Sequence, residues 1–347
     1  MSERPLLTLA ICCYKFERFI DEALDGAFSQ TYRPLEIVVS DDCSPDGSWQ
    51  HILDKVASRF PNAPLNRQAD FQTLVLSNQS SLPTPASKTS PDFLSLTLNR
   101  NPTNLGLARH ENRLFELSHG EWIAFQSGDD VSLPARMERI AQVVIANPHV
   151  RCIACRTCPV DEDGNSYQIP DSSIKAQEWA RHKKGFQLPS ILGAGAVYHR
   201  DVYRRFGPLG WHVVNEDHVL PFRASLLGDV VRIEDVLVLY KKHGANLSGV
   251  YNPTPDSVAR YRASVVYARY QELEDLHWAE LVHLADWRIV DKYRQLVKDD
   301  LFQCDLLAKW HMQPSMRLHL LWILLCSPRQ ILLLVGKAFK KLYWRLI

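Results

Sequence analysis

Three adjacent carboxylate pairs stand out in the sequence: Asp41-Asp42, Asp129-Asp130 and Glu216-Asp217. Adjacent like charges repel, so such a pair needs a cation or hydrogen-bond donors beside it. One or two carboxylates completed by substrate phosphates form the usual seat of Mg2+ or Mn2+. A single Asp-Asp pair is as readily a polar turn or a helix cap. Two such pairs, each closely following a short apolar run, favour the metal and phosphate chemistry. Glu216-Asp217 differs, because acidic residues also suit the first turn of a helix, where the dipole favours them.

The elements that must position these pairs alternate along the first 150 residues. Leu6 to Cys12 reads as a buried strand. Glu17 to Tyr32 reads as a helix, with Phe19, Ile20, Ala23, Leu24, Ala27 and Phe28 on one stripe. Leu35 to Ser40 is a second strand, rich in β-branched residues, and a weaker helix follows to about Phe60. Residues 61–93 are rich in Pro, Ser, Asn and Gln and read as a loop insertion. Strand character returns at Leu94 to Leu98. A helix then covers about Leu107 to Leu117, with Gly120 as its C-terminal cap. Glu121 to Gln126 is a further strand, and Pro134 opens a helix that must end before Pro148. Alternating strands and helices imply an α/β fold with a mostly parallel central sheet and helices on both faces. Ligands bind such sheets beyond the C-terminal ends of the strands, where Asp41-Asp42 and Asp129-Asp130 fall. Residues 151–250 read as mixed short strands, including one led by small residues at Gly193 to Tyr198. Residues 257–310 read as amphipathic helix.

Composition narrows the function classes. The 347 residues are 46% hydrophobic and 23% charged, which excludes disorder for most of the chain. Lys plus Arg number 40 against 39 Asp plus Glu, so the net charge is +1, and a general nucleic-acid binder is not expected. No Gly-x-Gly-x-x-Gly follows the first strand and no phosphate-cradling Gly-x-x-x-x-Gly-Lys-Ser/Thr occurs, so a nucleotide's diphosphate would have to be held by metal. The N-terminus carries no secretory pattern. The eight scattered cysteines fit a reducing cytosol. Cys152-x-x-Cys155-x-x-Cys158 lacks a fourth zinc ligand nearby and reads as buried structural cysteines.

The run Leu7 to Ile20, followed by Ser29 to Ser48 with its Asp-Asp-Cys-Ser-Pro-Asp-Gly-Ser, resembles the opening of the family 2 glycosyltransferases. Asn104-Leu-Gly-Leu-Ala-Arg-His-Glu-Asn resembles their next motif. Trp122 to Pro134 resembles their metal-binding DxD region, with Ser127 where an Asp is common. Gly195-Ala196, Asn215 to Arg223, and Tyr240 to Ser248 resemble the acceptor-side and closing segments. The resemblance covers about residues 5–250 in order. It implies the GT-A fold and an inverting, metal-assisted transfer from a nucleotide-sugar donor, with UDP the first expectation, to a glycan or lipid-linked acceptor, as in cell-surface polysaccharide synthesis. Carried over position by position, it implies that Cys13, Tyr14, Asp41, Asp42, Asn104, Gly106, Arg109 and Asp129 bind donor. It places Asp130, Asp129 and His243 on Mn2+ or Mg2+, and Gly195 and Ala196 on the acceptor side. Asp217 becomes the base, with Glu216 its neighbour. A sugar nucleotidyltransferase and a non-catalytic scaffold of the same fold are the alternatives.

This organisation implies a catalytic domain over 1–250 and a helical region over 251–347. In residues 316–347, Lys337, Lys340, Lys341 and Arg345 interleave with Phe339, Leu342, Tyr343 and Trp344. Pro328 and Arg329 break the apolar run, which suits a helix lying in an anionic membrane interface better than a span. The expected location is cytoplasmic, peripheral on the membrane face.

Overall fold

The apolar run at the N-terminus is the centre of the architecture. The computed structural model describes residues 4–76, 93–166, 191–244, 246 and 255–282, with isolated positions between 291 and 302. Strand β1 (Leu7–Cys13) is followed by helix α1 (Ile20–Phe28), β2 (Leu35–Asp41), α2 (Ser48–Arg59), β3 (Phe71–Val75) and β4 (Leu94–Arg100). Then come α3 (Leu107–Leu117), β5 (Trp122–Ser127), β6 (Val131–Ser132), α4 (Arg136–Ala146) and β7 (Val150–Val160). The order closes with β8 (Ala196–His199), α5 (Asp201–Phe206), α6 (Glu216–Leu227), β9 (Asp229–Lys241) and α7 (Pro255–Leu281).

The strands lie in the order β3-β4-β2-β1-β5-β8-β7-β9-β6. β4, β2, β1 and β5 are parallel to one another, which explains why their sequences read as near-continuous apolar runs. The sheet as a whole is mixed rather than mostly parallel, because β3, β8 and β6 each join antiparallel to their neighbours. Short antiparallel additions need no crossover helix, so the alternation rule is silent about them.

Leu7, Leu9 and Ile11 of β1 face a core completed by Ile20 and Leu24 of α1, Ile52 of α2 and Ile140 of α4. The opposite face packs on α3, where Phe115 meets Phe125 of β5 at 4.9 Å between ring centres. Glu36 lies inside this sheet. Burial pushes its carboxyl up, but His119 and the Thr8 hydroxyl donate to it and hold it below the usual range.

Three sequence expectations shift. The first helix begins at Ile20, not Glu17, because residues 14–19 form a loop pinned to the next strand end. The Lys15 and Phe16 amides donate to the Ser44 and Ser48 hydroxyls, and Lys15 takes a left-handed φ of 61°. Within 61–93, β3 pairs antiparallel with β4, so that part is an edge strand, and 77–92 lie outside the described residues. An edge strand needs only one inward apolar residue, here Leu74, and its polar composition hid it. Finally, α3 ends at Leu117 and Ser118 is its cap, its hydroxyl donating to Leu114 O. Gly120 serves close packing instead, since a Cβ there would sit 2.5 Å from Thr8 Oγ1.

The chain divides into two compact units. The first comprises Met1–Gln168, Ala176–Trp211 and Glu216–His243, and holds every candidate site residue. The second comprises Ile169–Lys175, His212–Asn215 and Gly244–Ile347. Among the described residues no helix is long and apolar enough to cross a membrane. The 316–347 tail lies outside the described residues.

Candidate active site

Each acidic pair sits where a strand or helix ends and backbone groups lose their partners. At the end of β2, Asp41 accepts from the Ser44 amide at 2.9 Å and from the Ser44 hydroxyl, with Arg100 Nε 3.6 Å away. Burial nevertheless raises its carboxyl above the usual range. Asp42 accepts from Asn101 Nδ2, from the Leu105 amide and from the Gly106 amide, all within 3.0 Å. Its own amide donates to Cys13 O. Asp42 therefore ties β1, β2 and the loop before α3 into one piece. Gly106 has a φ of 76°, which a side chain there would resist, and the Asn104 side chain accepts from its amide at 3.0 Å.

A buried polar chain runs beneath this loop. Cys12 Sγ lies 3.0 Å from His110 Nδ1, and His110 Nε2 lies 2.8 Å from Ser40 Oγ, which also accepts from Asn99. Burial holds His110 down to about 4 and pushes the Cys12 thiol up, so both are neutral. The consistent assignment has the thiol donating to Nδ1 and Nε2–H donating to Ser40. This is a brace, not a nucleophile pair.

The second pair lies in the turn between β5 and β6. Pairing of β6 with β9 brings the end of β9 alongside it. The Lys241 amide donates to Asp130 Oδ1 at 3.1 Å, and His243 Nε2 lies 2.9 Å from Asp129 Oδ2. His243 is itself stacked on Phe19, with ring centres 4.6 Å apart. Below the turn, the fully buried Arg136 donates to Ser132 Oγ and Phe125 O. Burial and then the neighbouring Asp129 charge push the Asp130 carboxyl well up.

These oxygens suit a hard cation. Mg2+ and Mn2+ take one or two carboxylates and fill their remaining positions with water and phosphate oxygens. Asp130 Oδ2 is a buried carboxylate oxygen with no hydrogen bond among the described residues, as such a ligand must be. The expected three-ligand set of Asp129, Asp130 and His243 is not assembled. Among the described residues no group of three His, Cys, Asp or Glu side chains is placed to hold a metal ion. His243 reaches Asp129 instead and orients it.

Glu216 and Asp217 open α6, partly buried against the turn Gly193–Gly195. A Cβ on Gly193 would lie 2.8 Å from Glu216 Oε1, and one on Gly195 only 2.3 Å from Cys155 O. The two glycines let this turn wedge between β7 and α6. Burial raises Asp217 to about 6, and burial with the Asp217 charge raises Glu216 to about 8. An acid near 6 is ionised at neutral pH yet binds a proton readily, as a general base should.

The structure separates the expected donor residues. Tyr14 and Arg109 are exposed, and Arg109 lies over the Trp211 ring at 5.8 Å. Asn104 and Gly106 form the exposed loop. Cys13 and Asp41 have no exposed surface, and Asp42 accepts from the Leu105 and Gly106 amides, so all three hold the backbone of the loop in place. Ala196 is likewise buried in β8. Sequence reading missed Arg136 and Glu111. Both are charges on the apolar stripe of a helix: Arg136 with Met137, Ile140 and Val144, Glu111 with Ala108, Leu114 and Phe115. A charge at such a position was the signal.

Comparison with known proteins identifies the family and agrees with the fold. Residues 8–67 and 62–207 match the family model described as glycosyl transferase family 2. An uncharacterised glycosyltransferase of Haemophilus influenzae is 23% identical over 318 residues, 87% of this chain and 86% of its own. Among solved structures, S. aureus TarS 1–349 in complex with UDP superposes with a TM-score of 0.52 at 15% identity, covering 91% of this chain and 86% of that one. The mannosyltransferase PcManGT of Pyrobaculum calidifontis, solved with GDP-Man and Mn2+, gives a TM-score of 0.51 at 16% identity, covering 97% and 81%.

Proposed function

The chain belongs to glycosyl transferase family 2 and is a glycosyltransferase; from that premise we propose that it moves a sugar from a nucleotide-sugar donor to an acceptor hydroxyl by a single inverting displacement. The observation that carries the reading is the placement of Asp217 at the start of α6, half-buried beside the Gly193–Gly195 turn, where burial raises its carboxyl. Asp217 takes the proton from the acceptor hydroxyl. That oxygen forms its bond to the anomeric carbon while the bond to the diphosphate breaks on the opposite face. Asp129 and Asp130 would hold the divalent cation, with His243 fixing Asp129. When bound, the cation neutralises charge on the leaving diphosphate.

The donor class rests on fold neighbours that hold UDP and GDP-Man, and UDP is the first choice. A thermal-shift panel of UDP, GDP, dTDP and CDP with and without Mn2+ tests it. One nucleotide with Mn2+ should stabilise the native state by about 2.7 kcal/mol at a hundredfold excess over Kd. No shift with any nucleotide would favour the scaffold alternative.

The acceptor in this proposal is a glycan or lipid-linked sugar of cell-surface polysaccharide synthesis, met at a membrane face through the basic and aromatic tail 316–347. Vesicle flotation of the full chain and of a chain ending at residue 315 tests this. Equal flotation on anionic vesicles would sink the tail's role.

A further inference from the structure

We propose that Phe19 is a positioning residue of the cation site: its ring carries the His243 imidazole and, through it, fixes Asp129 beside Asp130. The role rests on the reading of Asp129 and Asp130 given above as the cation carboxylates. The packing behind it does not.

The turn that bears the pair is anchored from the end of β9. The Lys241 amide donates to Asp130 Oδ1 at 3.1 Å, and His243 Nε2 lies 2.9 Å from Asp129 Oδ2. Both residues are tied in turn to the start of α1. The His243 ring stacks on the buried Phe19 ring, with centres 4.6 Å apart and planes 23° from parallel. The edge of Phe16 meets the same imidazole at 6.4 Å and 80°. Lys241 Nζ lies 2.6 Å from Glu22 Oε2 and 5.3 Å from the centre of the Phe19 ring. The spacings match. Phe19 and Glu22 are three apart in a helical turn and share a face, and residues two apart on an extended chain share a side.

The same bed touches the turn directly. A Cβ on Gly128, the residue before Asp129, would lie 2.9 Å from Phe16 Cδ2. The Phe19 and Ile20 amides both donate to Phe16 O at 2.9 Å, so the two phenyl rings belong to one tight turn. The Phe16 amide donates to Ser48 Oγ and holds that turn in place.

This arrangement calls for a flat ring rather than for apolar volume alone. Facing a carboxylate, His243 Nε2 is the donor. Its bond is aimed only while the imidazole plane is fixed, and a stacked ring fixes that plane. A leucine would fill much of the space without doing so. Groups that orient the partner of a metal-binding carboxylate tune metal affinity.

Mn2+ binding in the presence of UDP, followed by the electron paramagnetic resonance of free Mn2+, tests this. Phe19→Leu should weaken Mn2+ binding about tenfold. Phe19→Tyr keeps the ring and should stay within about twofold. Once His243→Gln is in place, Phe19→Leu should add no more than about twofold, because both act through one path. UDP affinity without metal should stay unchanged in every variant, which a general loss of fold would not allow. Unchanged Mn2+ affinity in Phe19→Leu, equal losses in the leucine and tyrosine variants, or fully additive losses in the double variant would overturn the proposal. If Phe19→Leu does not fold, proton resonances of the wild-type chain decide. The His243 ring protons, identified by their absence in His243→Gln, should lie upfield because they face an aromatic ring, and unshifted resonances refute the stacking. A wild-type chain that binds no Mn2+ beside UDP removes the cation reading and this role together. Mn2+ binding that ignores Phe19→Leu removes the role alone.

Discussion

Asp217→Asn is expected to lower kcat by about 10²–10⁴-fold, the range that a general base contributes, while nucleotide affinity stays within about twofold. The substitution keeps the side chain's size and removes its capacity to take a proton. Asp217 sits in α6, apart in the chain from the Asp129-Asp130 turn that the donor would occupy, so ground-state donor binding has no reason to change. The sign of the pH dependence follows from its position near 6. Below that value the carboxyl already holds a proton and cannot accept another, so kcat/KM of the wild-type chain should fall about tenfold per unit on the acidic side. Above it the rate should level off. The variant should lose this limb together with its rate. It should not lose stability: burying an acid that titrates above its unfolded value weakens the native state as pH rises from about 4 to about 6, and asparagine removes that effect. A well-folded, nucleotide-binding, inactive variant is the expected outcome. Transfer at more than about a tenth of the wild-type rate would move the base elsewhere.

How much of this was legible beforehand depends on what each residue does. β1, β2, β4 and β5 could be read because a strand buried on both faces must be apolar throughout. The two Asp-Asp pairs could be read because they closely follow those runs. β3 could not, since an edge strand with one buried residue resembles a polar loop. The resemblance did put His243 with Asp129, but nothing in the residues foretold the link from Lys241 to Asp130, which joins positions more than a hundred apart. It depends on β6 pairing with β9, and a two-residue strand leaves no periodic pattern. Asp41 and Asp42 also hold the loops around them, Asp41 through the Ser44 amide and hydroxyl and Asp42 through the Leu105 and Gly106 amides, a need that periodicity does not register. Glu111 and Arg136 were visible as charges on apolar stripes, but a stripe is ordinarily read for its apolar members.

Asp130→Asn should abolish the Mn2+-dependent part of the nucleotide shift and reduce kcat/KM by about 100-fold or more, since loss of one charged ligand removes several kcal/mol of transition-state stabilisation. The same variant should melt higher than the wild-type chain when neither metal nor nucleotide is added. Asp129 and Asp130 place two carboxyls side by side in a buried turn, and Asp130 Oδ2 has no hydrogen bond there among the described residues. Making one of them neutral relieves like-charge repulsion and burial at once. The asparagine would still accept the Lys241 amide through its Oδ1, so the attachment of the turn to β9 survives. Arg136 beneath the turn keeps its partners Ser132 and Phe125. The two halves of this prediction have opposite signs, and that makes it discriminating. A residue kept for folding would lower stability when changed, and a bystander would change neither quantity. Higher stability with lost metal response marks a fold that carries an unfavourable carboxylate pair for the sake of a cation. Unchanged Mn2+ dependence in Asp130→Asn would assign the metal to Asp129 and His243 alone, leaving Asp130 as a repelled neighbour with no part in donor binding.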